Sequence, residues 1–318
     1  MRASAYPSSD FITVDRRKFL AAAGALIAAG LLPRDVLALA APYSFKQGDA
    51  EVTVVSDGHL VLPTSLLAPD APPDQRKAIL TAIGATGDTI APATNATLIR
   101  TGSDLILFDT GAGDFQPTAG KLAANLAEAG IKPESITKVV FTHAHPDHCW
   151  GTAAGAGGSL TYPNAAYYTA AKEWDFWMDE GLVGKMPAMM KPFILGAQKH
   201  WGAVKDRVTI LKPGDEIAAG IKVLDTPGHT PGHVSFEVPG GEGLLVMGDV
   251  IVVPGVYFPH PEWAFGFDAI SDVAIQTRKT MLDRAATDKP KLLGYHWPYP
   301  GVGHAEKKGA GYEYVPAG

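Results

Sequence analysis

Residues 142–148 of this sequence read Thr-His-Ala-His-Pro-Asp-His, and this stretch carries four potential metal ligands within six positions. It directly follows a short apolar run that is typical of a buried strand. On extended backbone His143 and His145 point to the same side, because side chains alternate with a period of two, so both imidazoles can bind one metal ion. The proline turns the chain, so that Asp147 and His148 can reach a second ion nearby. The alternative, a surface histidine cluster without metal, fits poorly with this density of ligands behind an apolar strand.

The composition narrows the chemistry of this stretch. The chain has 318 residues with ten histidines but one cysteine, which excludes an internal disulfide, a thiolate zinc finger and an iron–sulfur cluster. The formal net charge is −6, from 27 Lys and Arg against 33 Asp and Glu, so the sequence shows no basic surface for nucleic acid. Imidazole and carboxylate together suit Zn²⁺, Mn²⁺ or Fe²⁺.

Four further segments extend the pattern to both sides of the His-rich stretch. They are Leu107–Gly111 (LFDTG), Thr226–Thr230 (TPGHT), Met247–Asp249 (MGD) and Gly294–His296 (GYH). In this order they resemble the motifs of the metallo-β-lactamase superfamily, and the resemblance runs from about residue 45 to the end of the chain. It implies an α/β fold, the four-layer αββα sandwich, with the metal ions at one edge.

The resemblance also implies a ligand set. A first metal ion would be held by His143, His145 and His229, a second by Asp147, His148 and His296, with Asp249 bridging both. Asp249 and Asp147 are then the expected catalytic residues, whereas Asp109 is expected to hydrogen-bond a ligand or the His-rich loop. The expected cofactors are two divalent ions, Zn²⁺ first, with Mn²⁺, Fe²⁺ and Co²⁺ as alternatives.

Other histidines and the single cysteine compete for places in this site. His304 is an alternative to His296, but His296 follows a strand end as the motif requires. For His233 a structural role is favoured over ligation. His59 follows a turn and either faces the pocket or lies at the surface. Cys149 is interpreted as a small buried residue and not as a ligand, because the ligand set is complete without it.

The implied chemistry is hydrolysis. Two divalent ions that share a water lower its pKa far below the bulk value of about 15.7, so a metal-bridging hydroxide exists at neutral pH. Such a hydroxide attacks a carbonyl carbon or a phosphorus centre. Within the superfamily, Asp249 argues against a class B3 β-lactamase, which lacks this aspartate. The short Gly-rich segment after His296 argues against glyoxalase II, which has a helical substrate domain there.

The sequence is most similar to methyl parathion hydrolase and the related secreted lactonases and arylesterases. The similar segments are Glu51–Gly58, Pro163–Ala165, Asp175–Trp177, His229–His233, Gly248–Val252, Tyr299–His304 and Gly311–Tyr312. The resemblance implies lactones, aryl esters or organophosphate triesters as small-molecule substrates, held in an aromatic pocket. Candidates for that pocket are Trp177, Phe193, Trp263 and Phe265, each of which is equally well explained as core. Segment Val253–Phe267 departs from the group and leaves substrate preference open.

Three other functions stay open at this stage. A β-lactamase-like enzyme or a glyoxalase-II-like thioesterase would use the same metal pair on a different substrate. An iron-dependent redox member of the superfamily would use the same ligands for oxygen or persulfide chemistry. A protein that keeps the fold and binds metal without catalysis is disfavoured by the complete ligand set.

The first forty residues are predicted to be an export signal. Arg16-Arg17 precedes an Ala- and Leu-rich run, Ala21–Leu32, and an A-x-A motif, Ala38–Ala40, which together resemble a twin-arginine (Tat) signal cleaved after Ala40. An N-terminal membrane anchor is the alternative. The prediction implies export by the Tat machinery, a periplasmic or secreted location, and one domain over residues 41–318, which is 318 less 40, or 278 residues. No stable membrane insertion of the mature protein is expected, and a homodimer is possible.

Apolar periodicity predicts two runs of strands, each closed by helices. The predicted strands are Glu51–Ser56, Thr97–Ile99, Leu105–Phe108, Lys138–Thr142, Val208–Leu211, Ile221–Leu224, Val234–Val238, Leu244–Met247 and, last, Leu292–Gly294. The predicted helices are Pro117–Ala129, Ala170–Glu180, Pro187–Trp201 and Ser271–Ala286. This order favours two sheets between helices.

Overall fold

The fold was analysed in a computed structural model, which describes residues 41–85, 87–154 and 158–317. The predicted export signal, residues 1–40, lies outside the described residues, as does its cleavage site. Among the residues described, no helix is long and apolar enough to cross a membrane.

Eighteen strands and eight α-helices make up the described part of the chain. The strands are β1 Tyr43–Gln47, β2 Ala50–His59, β3 Leu62–Pro63, β4 Thr89–Ile90, β5 Ala93–Thr101, β6 Asp104–Phe108, β7 Lys138–Val140, β8 Ala153–Ala154, β9 Ser159–Leu160, β10 Ala166–Ala170, β11 Val208–Leu211, β12 Glu216–Ala218, β13 Ile221–Asp225, β14 Val234–Val238, β15 Leu244–Gly248, β16 Lys291–Gly294, β17 Val302–Lys308 and β18 Gly311–Pro316. The helices are α1 Pro73–Ala82, α2 Leu122–Glu128, α3 Pro146–Cys149, α4 Ala171–Trp177, α5 Leu182–Lys185, α6 Lys191–Gly202, α7 Pro254–Tyr257 and α8 Ser271–Asp288. Short 3₁₀ turns cover Thr64–Leu66, Pro133–Ser135, Trp150–Thr152, Ala188–Met190 and Lys205–Arg207.

The strands form two sheets of seven. The first has the order β1-β2-β5-β6-β7-β10-β11, antiparallel up to β6 and parallel from β6 to β11. The second has the order β12-β13-β14-β15-β16-β17-β18, with β15 and β16 as its parallel pair. Two short ribbons, β3-β4 and β8-β9, stand apart from these sheets.

Successive side chains along the strands of the first sheet point to opposite faces, and the two faces pack against different layers. In β6, Ile106 faces the core between the two sheets, where the Phe108 ring packs edge-on against that of Phe236 in the second sheet at 5.0 Å. The intervening Leu105 and Leu107 face the opposite way, into a core shared with α2 and α6. One face of this sheet therefore packs on the other sheet and one on helices.

The second sheet repeats this arrangement. In β15, Val246 faces the core between the sheets, whereas Leu245 and Met247 pack with Met281 and Leu282 of α8. Helices thus cover the outer face of each sheet. The predicted four-layer αββα sandwich is confirmed.

Most predicted elements are present with shifted ends, and one helix begins well after its predicted start. The predicted helix Pro117–Ala129 begins only at Leu122, because the Asp57 carboxylate accepts hydrogen bonds from the backbone N–H groups of Ala112, Gly120 and Leu122 at 2.7–3.1 Å and holds this segment as a loop. At Gly120 φ is +72°, and a Cβ there would lie 1.8 Å from a backbone oxygen, so the loop requires glycine.

The prediction of Leu292–Gly294 as the last strand is wrong. Strands β17 and β18 form a hairpin that extends the second sheet beyond β16. Two lysines and two glutamates within Val302–Lys308 and Gly311–Pro316 obscure the apolar alternation, because the hairpin lies at the sheet edge with much of it exposed.

Replacement of Phe236 by alanine tests the shared core. Because this fully buried ring fills space between the two sheets, Phe236→Ala is expected to lower the free energy of unfolding by about 3–5 kcal/mol in a urea titration. The control Leu195→Ala, at a side chain 47% exposed, is expected to change it by less than about 0.5 kcal/mol. Equal effects of the two substitutions would contradict the sandwich core.

Candidate metal centre

Four loops meet at one edge of the sandwich. In the second sheet β13 and β15 both run antiparallel to β14, and β16 runs parallel to β15, so the segments after these three strands leave from the same edge. Those segments carry His229, Asp249 and His296, and the His-rich stretch follows β7 of the first sheet. The topology therefore brings together side chains that are far apart in sequence.

A first group of ligand atoms comes from three histidines. His143 Nε2 lies 3.0 Å from His145 Nδ1, which lies 2.9 Å from His229 Nε2. Asp249 Oδ2 approaches His229 Nε2 at 3.3 Å and His143 Nε2 at 3.9 Å. A tetrahedral ion with bonds of about 2.0–2.1 Å separates its ligand atoms by roughly 3.3 Å, which matches this spacing.

A second group lies on the other side of Asp249. Asp147 Oδ2 is 3.3 Å from His148 Nε2 and 3.1 Å from His296 Nε2. Asp249 reaches this group as well, with Oδ1 at 3.3 Å from His148 Nε2 and Oδ2 at 3.2 Å from His296 Nε2. Asp249 therefore lies between the two groups, the position that the sequence assigned to a bridging carboxylate.

The unpartnered atoms in these groups fit divalent cations. Asp147 Oδ2, His148 Nε2 and Asp249 Oδ1 are buried and have no hydrogen-bond partner, although buried polar atoms are rarely left unsatisfied. The two carboxylate oxygens each lie 3.3 Å from His148 Nε2. Imidazole nitrogens and carboxylate oxygens in this arrangement are a donor set for zinc or a similar ion.

The charges of the site favour a cation. Although burial opposes ionisation, the neighbouring His148 and His296 hold the pKa of the Asp147 carboxyl well below its ordinary value. Burial lowers the pKa of His229, but hydrogen bonds to Asp249 and Asp268 outweigh it and raise that pKa to about 9. The carboxylates thus stay ionised in a buried place and attract positive charge.

In each group, one histidine forms a hydrogen bond to a carboxylate through the ring nitrogen that does not face the other ligands. Asp109 Oδ2 accepts a hydrogen bond from His148 Nδ1 at 2.8 Å, and both of its oxygens accept from Thr142 at 2.8 Å. Asp268 Oδ1 lies 3.0 Å from His229 Nδ1. Partners of this kind fix the ring orientation of a metal-binding histidine. Asp109 lies where the sequence predicted it, whereas Asp268 was missed.

A buried arginine holds Asp268 in place. Arg278, 2% exposed, donates from Nη2 to Asp268 Oδ2 at 3.0 Å and otherwise donates to backbone carbonyls, among them that of Trp263 at 2.7 Å. Arg278 lies in α8 among several other charged residues, so nothing in the sequence marks it as the partner of Asp268.

His233 has a structural role, as the sequence predicted. Its Nε2 accepts a hydrogen bond from the backbone N–H of Asp249 at 3.0 Å, and its Nδ1 lies 3.1 Å from the carbonyl of Thr226. Burial lowers the pKa of His233 to about 3, so the ring is neutral and keeps Nε2 as an acceptor. His233 therefore positions the backbone of the bridging aspartate.

The other competing residues lie outside the two groups. His304 is on β17, paired with Val315, and belongs to none of the ligand clusters found among the described residues. His59 ends β2, half-buried. Cys149 is fully buried, and its Sγ donates to the carbonyl of Ala144 at 3.4 Å.

A narrow cavity of about 40 Å³ lies directly over the two groups. Its lining combines site residues with apolar side chains: Leu60, Leu62, Phe115, His145, Pro146, Asp147, Phe193, His229, Asp249, Val252, Phe265, Phe267 and His296. Phe193 and Phe265 are placed here as the sequence suggested. Phe115 and Phe267 were missed, because no motif marks them.

A larger apolar cavity of about 700 Å³ adjoins the first one, and the two share His145 and Phe267. Trp177 lines this second cavity. Trp263, suggested by the sequence as a pocket residue, lies elsewhere. It packs in the core beneath α8 and stacks on His260 at 3.6 Å, because residues 258–263 turn it away from the ligand groups.

Comparisons with known proteins agree with this geometry. A sequence profile of the Metallo-beta-lactamase superfamily matches residues 90–296. AidC, described as a dizinc quorum-quenching lactonase in complex with a product, is 29% identical with a TM-score of 0.82, over 88% of this chain and 98% of that one. The hydrolase AbOPH of the beta lactamase superfamily is 31% identical with the same TM-score and coverage.

A curated relative agrees over a shorter stretch. An N-acyl homoserine lactonase of Bacillus cereus is 24% identical over 180 residues, which is 55% of this chain. The chain spans 62% of the length of that lactonase, less than two thirds.

Metal content tests the two groups directly. Because the ligand atoms form two groups around Asp249, the purified protein is expected to bind about two divalent ions per chain, measured by mass spectrometry of the dialysed protein. His296→Ala is expected to lose about one ion, since it removes a ligand of one group only. The control His304→Ala is expected to keep both. Equal metal content in the two variants would contradict the assignment of His296.

Proposed function

The chain belongs to the metallo-beta-lactamase superfamily, and on that premise we propose that it is a binuclear metal-dependent hydrolase of lactones or aryl esters that carry an apolar group. The observation that carries the proposal is the convergence of seven ligand side chains at the base of an apolar cavity. The structural similarity to AidC, a dizinc lactonase, supports the proposal, because the match covers 98% of the AidC chain.

We assign one ion to His143, His145 and His229, a second to Asp147, His148 and His296, and Asp249 to both. Zinc is the proposed metal, with Mn²⁺, Fe²⁺ and Co²⁺ as alternatives. When bound, two such ions supply an activated water at neutral pH and polarise the substrate carbonyl.

The side chains orient the reacting groups. Asp249 is buried among four ligand histidines, where its carboxylate would hold the ions and help to orient the attacking water. The backbone hydrogen bond from Asp249 to His233 fixes this carboxylate. Asp147, held between His148 and His296, keeps the other side of the centre anionic.

The two cavities suggest a substrate with two parts. The first cavity places aromatic rings around the ligand groups, which excludes water from the reacting bond. The second is lined by Trp177, Leu182, Met186 and Met190 and offers room for an alkyl chain or a ring. A lactone or ester would place its reacting bond in the first cavity and its apolar substituent in the second, since His145 and Phe267 line both.

Hydrolysis of an organophosphate triester also requires an activated water that attacks the phosphorus centre. We therefore propose such triesters as further substrates. β-Lactams, thioesters and an iron-dependent redox reaction are the competing functions. They differ from the proposal in substrate or in metal, so one set of assays separates them.

A substrate panel tests the proposal. Acyl-homoserine lactones, dihydrocoumarin and 4-nitrophenyl esters are expected to be turned over faster than methyl paraoxon, nitrocefin or a glutathione thioester. Asp249→Ala is expected to lower kcat on the best substrate by at least about a thousandfold, because several kcal/mol of transition-state stabilisation depend on this centre. Dominant turnover of nitrocefin or the thioester, or an active Asp249→Ala enzyme, would overturn the proposal.

Chain-length preference tests the second cavity. Met186 is half-buried and lines it, so Met186→Trp is expected to narrow the space available to a long substituent. The ratio of kcat/KM for decanoyl- against butanoyl-homoserine lactone is expected to fall about tenfold or more, since each buried methylene contributes about 0.8 kcal/mol. Leu195→Trp, on the exposed face of α6, is the control and is expected to keep the wild-type ratio. An unchanged ratio in Met186→Trp would place the substituent elsewhere.

A further inference from the structure

Glu173 is a fully buried carboxylate that has no part in the proposed chemistry. It lies in the first turn of α4 and does not line the cavity over the ligand groups. Burying a carboxylate is costly unless hydrogen-bond donors surround it. The donors that surround Glu173 show what it does.

Four hydrogen bonds end on this carboxylate. Oε1 accepts from the backbone N–H of Ala144 at 3.1 Å and from Trp177 Nε1 at 2.6 Å. Oε2 accepts from Thr230 Oγ1 at 2.7 Å and from the backbone N–H of Gly232 at 2.9 Å.

Three of the four donors, the Ala144 and Gly232 backbone N–H groups and the Thr230 hydroxyl, belong to two loops that supply one ligand group. Ala144 lies between His143 and His145, and Thr230 directly follows His229. A single side chain therefore joins the loops that carry the three histidines of the first group.

The fit between these loops and α4 is close. A Cβ at Gly232 would lie 2.1 Å from the backbone nitrogen of Glu173, so the loop approaches the helix as nearly as glycine allows. Trp177, the fourth donor, places its ring edge-on to His145 at 5.7 Å and lines the second cavity. The carboxylate thus connects the substrate cavity with the same ligand group.

We propose that Glu173 is a positioning residue that keeps His143, His145 and His229 in register for one ion, and so sets the affinity of that position without touching the metal. The inference rests on the proposed binuclear centre. The second position takes its orientation from Asp109 through His148 and from the Ala93 carbonyl through His296, and Glu173 hydrogen-bonds to none of these residues. Of its ligands, Asp249 alone is shared with the first position, so we expect the second position to depend much less on Glu173.

Glu173→Gln is the sharpest variant, because glutamine keeps the shape and loses acceptor capacity. Its NH₂ group must face either Ala144 and Trp177 or Thr230 and Gly232, so at least one N–H donor loses its acceptor. Asp57→Asn is the matched control. Asp57 is also buried and accepts three backbone N–H bonds, but from residues 112–122, outside the ligand loops.

The experiment measures zinc at each position separately in the full-length protein. Crystals equilibrated with graded zinc–chelator buffers give the occupancy of both positions from anomalous scattering at the zinc edge. In Glu173→Gln the affinity of the position at His143, His145 and His229 is expected to fall about 10–100-fold, with the other position within about threefold of wild type. Asp57→Asn is expected to lower Tm without this selective loss.

Thr230→Val provides a milder test, since it removes one donor and leaves the carboxylate intact. A smaller loss of zinc affinity at the position of His143, His145 and His229 supports the proposal. This variant keeps the test open if Glu173→Gln does not fold. Equal loss at both positions, or wild-type affinity at the first position in either variant, would overturn it. If wild-type protein binds no zinc at either position, the proposed function fails instead, so the two failures are distinguishable.

Discussion

The burial of ionised carboxylates at the edge where the two sheets meet is the constraint on which this structure depends. Asp147 and Asp249 are each no more than 5% exposed and are surrounded by imidazoles. Charges in such a place are unfavourable unless opposite charge or hydrogen-bond donors compensate them. The four loops that bring these side chains together, and the cavity above them, follow from that need for compensation.

Three further acidic residues hold the ligands in place from outside the centre. Asp109 braces His148, Asp268 braces His229 and is itself held by Arg278, and Glu173 joins the loops of the first ligand group. Each of these side chains is buried and each fixes a different part of the ligand set. The scaffold therefore holds the ligands rigidly by hydrogen bonds and leaves no ligand loop to be ordered by packing alone.

Local pattern predicted many of the strands and the ligands of the His-rich stretch, because these depend on neighbours in sequence. The assignment of His229, Asp249 and His296 as ligands came instead from the resemblance to the family. The His-rich stretch combines strand end, turn and ligands within seven residues, so its geometry is almost self-contained. Asp268, Glu173 and Phe267 could not be predicted, since their partners lie in other loops and no spacing rule connects them. The late start of α2 was missed for the same reason, because the cause is a distant carboxylate, Asp57.

The negative charge around the centre argues for bound divalent cations. Five buried carboxylates contact the ligands or their loops: Asp109, Asp147, Glu173, Asp249 and Asp268. Asp268 is paired with Arg278, and burial raises the pKa of Asp109 and of Glu173, so Asp147 and Asp249 carry most of the negative charge that faces the ligand nitrogens. Divalent cations at the ligand groups would neutralise this charge, which is costly to leave uncompensated in a buried site. The raised pKa values of His229 and His296, about 9 and about 10, have the same cause, because the carboxylates beside these buried rings favour positive charge there.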